Sequence, residues 1–370
     1  MTPHAGGREG HDGLWALHLG SPLGIPVRIH FTFLLVLVWF GFLNWQRGGR
    51  PLLGVAFIVL LFTCVLLHEL GHAMMARRFG VRTRQIVLYP IGGVASLEGI
   101  PSGAAELLIA IAGPLVNVVL AGLLLIVKVV FAIPWPVSPQ EMVTSGSLMP
   151  LLLVANIALF LFNLVPAFPM DGGRVLRATL SFFMTHEKAT GIAALVGQGF
   201  AILFGGVGLL KGDFILVFIA LFVFLGAGQE AAFERGRAAV SGRLARDAMV
   251  TRFDTLAPQD SLGRATELLL ATHQQDFPVV DAWGRVAGIL GRSALLEGLA
   301  RLGQSGAVLE VMRREPKVVR PETPLDQVLP LFQGDAGTPV LVADVEGLRG
   351  IIPLENLGEL IEVSRRLREG

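Results

Sequence analysis

The sequence predicts a polytopic α-helical membrane protein of about six transmembrane helices with a re-entrant β-hairpin, followed by a soluble α/β pair of repeated units. Three observations support this fold class. Hydrophobic residues make up 53% of the 370 residues and charged residues only 16%, which is typical of integral membrane proteins. Six apolar stretches occupy the chain up to residue 233. The remainder has the composition of a soluble domain and contains an internal repeat.

The apolar stretches define a membrane domain over 29–233, after an N-terminal segment of residues 1–28. The stretches are 29–45, 52–76, 104–131, 148–182, 190–210 and 213–233. Arginine and lysine concentrate between the second and third stretches, around the end of the fourth and after the sixth, whereas the loop 132–147 has neither. The residues counted are Arg77, Arg78, Arg82, Arg84, Arg174, Arg177, Lys188, Arg235, Arg237 and Arg243. Arg47 and Arg50, between the first two stretches, are a minor exception. By the positive-inside rule, we expect a multi-pass protein whose N-terminus, C-terminus and soluble domain are cytoplasmic. The rule does not identify the membrane, which we expect to be a prokaryotic plasma membrane.

A metal-binding motif lies inside the second apolar stretch. His68-Glu69-Leu-Gly-His72 is an H-E-x-x-H pattern, and histidines four residues apart on a helix share one face and can hold one metal ion. Glu69 can then take a proton from a metal-bound water. Residues 52–67, before the motif, carry no charge, and a charged group at membrane depth costs about 2.5–3.5 kcal/mol on insertion scales. We therefore favour metal catalysis over a chance match or histidines that only bond to neighbouring helices.

The fourth stretch offers a third metal ligand. Residues 163–174 contain two prolines and two glycines, which break the helix, and unwound backbone within a membrane usually lines a cavity. Asp171 follows the break, where its carboxylate could complete a His-His-Asp set and leave a fourth position open for water. The alternatives are that Asp171 caps the next helix or pairs with Arg174.

Two further segments have features of a membrane active site. Residues 85–98 contain two β-prone runs around Gly92-Gly93, which predicts a hairpin. Its edge could pair with an extended peptide, or the hairpin could be a plain connection. In the third stretch, a glycine-proline pair and Asn117 indicate a kink and a close helix contact. Asn117 either lines the site or bonds across helices.

These residues resemble the site-2 protease family of intramembrane zinc metalloproteases. The resemblance covers 29–233 and rests on the H-E-x-x-H motif together with the run 163–172. It implies one zinc ion per chain, with Glu69 as the general base and Asn163 as the group that steadies the scissile carbonyl or its oxyanion. The zinc ligands that it implies are His68, His72 and Asp171. It also relates Gly92 and Gly93 to the family's re-entrant hairpin and Asn117 to its glycine-proline-asparagine helix, which makes these three the candidate substrate-binding residues.

The resemblance implies regulated intramembrane proteolysis: cleavage of a transmembrane helix in a single-span membrane protein by zinc-bound water that Glu69 activates. The alternative hypothesis is a divalent-metal transporter or channel that uses the same ligands as a transit site. A transporter needs a polar route through both leaflets, yet the outer halves of these helices carry almost no polar residues. We therefore predict the protease.

The C-terminal part contains two units offset by 61 to 63 residues. Met249 aligns with Met312, and Gly288 aligns with Gly350. Each unit reads as strand, helix, strand, turn, strand and helix, and two such units can bury faces that one alone could not. The predicted boundaries are a linker at 234–246 and units at 247–305 and 306–366.

This repeat resembles a tandem pair of CBS domains, which one subgroup of the site-2 protease family carries. The resemblance implies an adenine nucleotide as ligand and a homodimer formed through the CBS pair. The sequence departs from the family pattern where a Thr or Ser and an Asp usually meet the ribose, because it has Gly291 and Ala294 in the first unit and Pro353 and Asn356 in the second. A structural or dimerising role is therefore the alternative to nucleotide binding.

The net charge argues against a nucleic-acid partner, and the cysteine content limits the covalent and metal chemistry of the chain. The formal net charge is +1, so we expect no nucleic-acid partner. Cys64 is the single cysteine, which excludes an internal disulfide and a cysteine-ligated zinc site.

Overall fold

The computed structural model describes residues 16–46, 50–90, 92–97, 99, 103–133, 148–332 and 337–369. The chain divides into two compact units, Met1–Ala231 and Ala232–Gly370. The boundary between the units falls within a helix that continues to Val240, so residues 234–240 of the predicted linker are helical.

The first unit combines a small sheet with apolar helices. Its described strands are β1 (Ala16–Gly20), β2 (Val27–His30), β3 (Thr83–Tyr89) and β4 (Gly92–Leu97). Its described helices are α1 (Thr32–Gln46), α2 (Pro51–Arg78), α3 (Ala104–Val130), α4 (Leu148–Asn163), α5 (Asp171–Leu180), α6 (His186–Lys211) and α7 (Phe214–Val240), the last of which crosses the boundary. The predicted stretch 148–182 is thus two helices with a break between them.

Four of these helices, α2, α3, α6 and α7, are long and apolar enough to cross a membrane by length and composition. Helices α1 and α4 are also apolar but have only 15 and 16 residues, whereas a span needs about 20. The count of six spans therefore stays a prediction.

Helix α2 has the sequence signals of a long helix at both ends. Pro51 stands in its first turn, where the fixed φ of proline suits a helix and its missing N–H costs nothing. Arg77 and Arg78 occupy the last turn, where positive charge interacts favourably with the helix dipole. The 28 residues between these ends extend about 42 Å at 1.5 Å per residue, which is enough to place the H-E-x-x-H motif within an apolar layer.

The predicted hairpin over 85–98 is formed by β3 and β4, in which Tyr89 lies opposite Gly92. Its re-entrant position in a membrane stays a prediction. The sheet order is β1-β2-β3-β4, with β2 parallel to β3 and the other two pairs antiparallel.

The N-terminal strands complete this sheet. Val27 of β2 lies opposite Ile86 of β3, and both side chains are buried in the core of the first unit. The described part of the N-terminal segment is therefore integrated with the hairpin, and the boundary predicted at residue 29 falls inside β2. A buried β3 explains this arrangement, because its backbone groups need partners on both sides.

A buried arginine joins three helices of the first unit. Arg177 of α5 donates from Nε to Glu106 of α3 at 2.6 Å and from Nη1 to Glu230 of α7 at 2.5 Å. Its guanidinium group also lies 5.0 Å from the centre of the Phe168 ring. The topology prediction counted Arg177 among the loop charges, and its burial removes that charge from the count.

In its described residues, the second unit is an α/β domain with two sheets. Its described helices after α7 are α8 (Leu262–Ala271), α9 (Arg292–Leu302), α10 (Leu325–Val328) and α11 (Leu354–Glu369). Its strands are β5 (Asp276–Val280), β6 (Val286–Gly291), β7 (Val318–Val319), β8 (Val340–Asp344) and β9 (Gly347–Ile352). Strands β5 and β6 pair with each other, and β7, β8 and β9 form the second sheet.

The two repeats exchange their opening segments. Val250, at the start of the first repeat, forms two backbone hydrogen bonds with Ile351 in β9, at 2.8 and 3.1 Å. Arg313, at the start of the second repeat, does the same with Ile289 in β6, with both bonds at 2.9 Å. Each repeat therefore completes the sheet of the other.

The aligned methionines and glycines meet at these exchange points. A Cβ atom at Gly350 would lie 2.8 Å from Sδ of Met249, and one at Gly288 would lie 3.0 Å from Sδ of Met312. At Gly288 the same Cβ would also lie 2.5 Å from the Arg313 carbonyl oxygen. The repeat visible in the sequence is thus the signature of a reciprocal contact between the two units.

Gly288→Ala should destabilise the second unit by about 1–3 kcal/mol, because the added methyl group meets backbone that cannot move aside easily. Gly358→Ala is the matched control: its Cβ would meet no atom within 4 Å, and alanine favours the helix interior by up to about 1 kcal/mol. Chemical denaturation of the full-length protein measures both. Equal stability of the two variants would contradict the close contact at Gly288.

Candidate metal centre

Three metal-ligating side chains meet in the interior of the first unit. His68 and His72 come from α2, and Asp171 is the first residue of α5. Oδ2 of Asp171 lies 3.1 Å from Nε2 of His68 and 3.2 Å from Nε2 of His72, and the two Nε2 atoms are 3.1 Å apart. All three side chains are buried. Among the described residues, this is the group whose geometry suits a metal ion.

The outer nitrogen of each ring is held by an acceptor. Nδ1 of His68 donates to the side-chain oxygen of Asn117 at 2.6 Å, and Nδ1 of His72 donates to the Ile109 carbonyl at 2.7 Å. Because Nδ1 carries the proton in both neutral rings, each Nε2 keeps its lone pair. Two lone pairs and a carboxylate oxygen then face each other in a buried space, an arrangement that a cation stabilises. The donor set of two imidazoles and one carboxylate fits zinc and leaves a fourth position open.

The break between α4 and α5 brings Asp171 to the histidines. Gly172 and Gly173, in the first turn of α5, lie directly against the preceding loop. A Cβ at Gly172 would lie 2.2 Å from the Val165 carbonyl oxygen, and one at Gly173 would lie 2.6 Å from the Phe168 nitrogen. The glycines predicted to break the helix therefore allow the loop to fold tightly over the start of α5. Asp171 faces the two imidazoles, which favours a ligand over a helix cap.

Gly113 on α3 makes room for the imidazoles. A Cβ there would lie 2.2 Å from Nε2 of His72 and 2.7 Å from Nε2 of His68. These are the two atoms that would bind a metal, so any side chain at this position competes with the ion for the same space. This steric conflict explains why the glycine-proline pair has glycine, and no larger residue, at position 113.

The hairpin lies against Glu69. A Cβ at Gly93 in β4 would be 2.6 Å from Cγ of Glu69. Gly92, the residue before it, has φ 141°, a backbone conformation that favours glycine. The structure therefore brings Gly93 beside the residue predicted as the general base.

The remaining predicted residues differ in their surroundings. Asn117 is fully buried beside His68. Asn163 is the half-buried last residue of α4, and within the described part of the chain its side chain makes no hydrogen bond. Sequence reasoning missed Asn156, also fully buried, which accepts a hydrogen bond from Asn117 at 3.0 Å. An amide in the middle of an apolar helix was the signal that could have indicated it.

A membrane-embedded metallopeptidase needs a metal ion with an open position, a nearby carboxylate base and helices that carry both into an apolar layer. The first unit has the side chains and the helices for each requirement. Residues 56–205 match the family model of peptidase family M50, and residues 245–301 and 308–362 match the CBS domain. The chain belongs to peptidase family M50, the site-2 protease family of zinc metalloproteases, and carries a tandem CBS pair.

Two relatives and one solved structure are similar to this chain. The chain is 34% identical over 315 residues to the zinc metalloprotease MJ0392 of Methanocaldococcus jannaschii, which is 85% of this chain and 87% of that protein. It is 30% identical over 377 residues to the putative zinc metalloprotease Rip3 of Mycobacterium tuberculosis, covering 95% of this chain and 94% of the relative. A solved site-2 protease structure from M. jannaschii is 41% identical and covers 59% of this chain and 95% of its own, with a TM-score of 0.46.

These findings confirm the predicted family and the enzyme class. The protein is a zinc metalloprotease, and its family together with four apolar helices of spanning length makes it an integral membrane protein. They do not favour the transporter alternative.

Gly113→Ala should strongly reduce zinc binding, because its methyl group would occupy the space between the two Nε2 atoms. Gly122→Ala on the same helix is the control, since a Cβ there would meet no atom within 4 Å. Zinc content of the purified proteins, measured by atomic absorption, distinguishes the two. Full zinc loading of Gly113→Ala would contradict the ligand assignment.

Proposed function

We propose that this metalloprotease is an intramembrane endopeptidase that cleaves a transmembrane helix of a single-span membrane protein. The observation that carries the proposal is the buried cluster of His68, His72 and Asp171 on helices of apolar composition, with Glu69 adjacent to the first ligand. A peptide bond that reaches this cluster must itself enter an apolar environment. Membrane-spanning segments are the peptides already found there.

His68, His72 and Asp171 would hold the zinc ion. When bound there, zinc supplies a Lewis acid that polarises the scissile carbonyl and lowers the pKa of a coordinated water. The carbonyl acceptors on the two Nδ1–H groups keep both rings oriented with Nε2 toward the same point.

Glu69 would move the protons of the reaction. As the neighbour of His68, its carboxylate can accept a proton from the attacking water and deliver it to the leaving nitrogen. Asn163 is our proposed donor to the oxyanion that develops on the scissile carbonyl. Its amide has no partner within the described part of the chain, so its N–H groups are available.

The hairpin would hold the substrate in an extended form. Peptide bonds inside a helix are shielded by their own hydrogen bonds, so the substrate must unwind before cleavage. Among the described strands, β4 pairs only with β3 and has its other edge open. A substrate strand added at that edge near Gly92 and Gly93 would lie beside Glu69. Both polar atoms of Asn117 are engaged inside the protein, so we assign Asn117 to ligand support and not to substrate binding.

The remaining features of the proposal concern topology and assembly. Cytoplasmic termini and a cytoplasmic CBS pair follow from the distribution of arginine and lysine in the loops. Homodimer formation through the CBS pair and binding of an adenine nucleotide stay predictions.

Glu69→Gln should abolish cleavage of a reporter transmembrane peptide by the purified full-length protein in detergent, with a loss of at least about 100-fold. Zinc content should remain near that of the wild type, because Glu69 is not a ligand in this proposal. Glu187→Gln, at an exposed position on α6, removes an equivalent charge and should cleave normally.

Retained cleavage by Glu69→Gln would exclude it as the general base. Loss of zinc from the same variant would instead make Glu69 a ligand. If the wild type holds zinc and cleaves soluble peptides but no transmembrane peptide, the protease assignment stands and the intramembrane substrate is wrong.

A photoreactive side chain in place of Val94, which is exposed on β4, should cross-link to a substrate bound by the Glu69→Gln protein, because strand addition places the peptide along this edge. The same side chain in place of Leu203, exposed on α6, is the control and should cross-link weakly. Mass spectrometry of the products measures both yields. Equal yields would contradict strand addition.

A further inference from the structure

A chain of buried amide groups extends from His68 to the backbone of α4. Nδ1 of His68 donates to Oδ1 of Asn117 at 2.6 Å, and Nδ2 of Asn117 donates to Oδ1 of Asn156 at 3.0 Å. Nδ2 of Asn156 donates in turn to the Leu152 carbonyl at 2.8 Å. Both asparagines are fully buried, so no water replaces these partners at their side chains.

The direction of this chain is fixed at its far end. A backbone carbonyl can only accept a hydrogen bond, so Asn156 must turn its NH₂ group toward Leu152 and its oxygen toward Asn117. Asn117 then has to present its NH₂ group to that oxygen and its own oxygen to His68. As a result, Nδ1 of His68 carries the proton and Nε2 faces Asp171 with a lone pair.

We propose that Asn156 is a positioning residue of the metal centre. Through Asn117, it selects the His68 tautomer that can bind zinc, although it does not touch the metal site. This inference rests on the zinc ligands named in the proposed function but not on the choice of substrate. It concerns the affinity for zinc, which can be measured without any cleavage.

The two histidines differ in the kind of group that accepts the hydrogen bond from Nδ1. Nδ1 of His72 donates directly to the Ile109 carbonyl, a partner that side-chain substitution does not remove. Nδ1 of His68 depends on two side chains in series. Without Asn156, the Asn117 amide can rotate and offer its NH₂ group to Nδ1, which favours the tautomer with the proton on Nε2. That tautomer has no lone pair for zinc.

A packing role is the competing explanation, since Asn156 is also a buried residue of α4. The two explanations differ in which variants they affect. A packing role predicts that truncating another buried residue on the same helix lowers zinc affinity by a similar factor. Leu153 is such a residue, because it is buried but apolar. Selection of the tautomer predicts that zinc affinity falls only when the hydrogen-bonded chain of Asn117 and Asn156 is broken.

The test is the zinc dissociation constant of the full-length protein, measured by competition with a fluorescent chelator in detergent. Asn156→Leu keeps the approximate size of the side chain and should raise the constant about 10–100-fold, the usual effect of losing a partner of a metal-binding histidine. Leu153→Ala should leave the constant at the wild-type value. An unchanged constant in Asn156→Leu would overturn the proposal.

A double-mutant cycle separates positioning from packing. Asn117→Ala already disconnects His68 from Asn156, so adding Asn156→Leu to it should not weaken zinc binding further. Additive losses would overturn the proposal, because they would show that Asn156 acts independently of Asn117. Asn156→Ala replaces the leucine variant if size-exclusion chromatography shows that the latter is not folded.

His68→Ala distinguishes the failure of this inference from that of the proposed function. If His68→Ala loses zinc and Asn156→Leu does not, the zinc site stands and Asn156 does not position it. If His68→Ala binds zinc like the wild type, the ligand assignment itself is wrong. The inference about Asn156 then fails with it.

Discussion

The facing Nε2 atoms of His68 and His72 and the carboxylate of Asp171 are the constraint on which the first unit depends. Three electron-rich atoms within 3.2 Å of one another, in a buried space, repel each other unless a cation or a proton lies between them. Each Nδ1–H already donates to an acceptor, Asn117 for His68 and the Ile109 carbonyl for His72. The lone pair of each ring is therefore on Nε2, which faces the other two atoms of the cluster. The arrangement of these three groups therefore suits a metal ion.

Close approach of the helices makes this convergence possible, and glycine makes the approach possible. A Cβ at Gly71 of α2 would lie 2.9 Å from the Ala112 carbonyl of α3, and Gly113, Gly172 and Gly173 meet similar barriers. Small residues at such contacts let membrane helices pack at short distances, where van der Waals contacts and hydrogen bonds replace the hydrophobic effect. A side chain at Gly113 would collide with the two imidazole rings, whereas one at Gly71, Gly172 or Gly173 would collide with neighbouring backbone.

In the second unit, each repeat supplies a strand segment that pairs with the other repeat. Val250 pairs with Ile351 and Arg313 pairs with Ile289, so neither repeat has a complete set of backbone partners by itself. Unsatisfied backbone groups are costly when buried, and this cost explains why the units occur as a pair. Met249 packs against Gly350, and Met312 packs against Gly288. These two equivalent contacts follow the approximate symmetry that is visible in the sequence.

Several parts of this protein could be predicted from the sequence because they depend on local periodicity. The spacing of His68 and His72 places them on one helix face in any α-helix, and the apolar runs identify membrane helices without knowledge of their neighbours. The two motifs also indicated the family, and the 62-residue repeat between Gly288 and Gly350 indicated the CBS pair.

Contacts between distant segments were decided only by the tertiary structure. The groups that hold the two imidazole rings come from Ile109, Asn117 and Asn156, which are dozens of residues away from the histidines. Arg177 appears in the sequence as a loop charge although it is buried against Glu106. The first described strands, β1 and β2, likewise join a hairpin more than 50 residues away. Hydrophobic patterns report which face of an element is buried, but not which polar group it meets. For that reason the sequence by itself determined the spacing of the two histidines, the position of the proposed base and the repeat. Only the packing of α2, α3, α4 and α5 decided how Asp171 and the two buried asparagines come together beside the histidines.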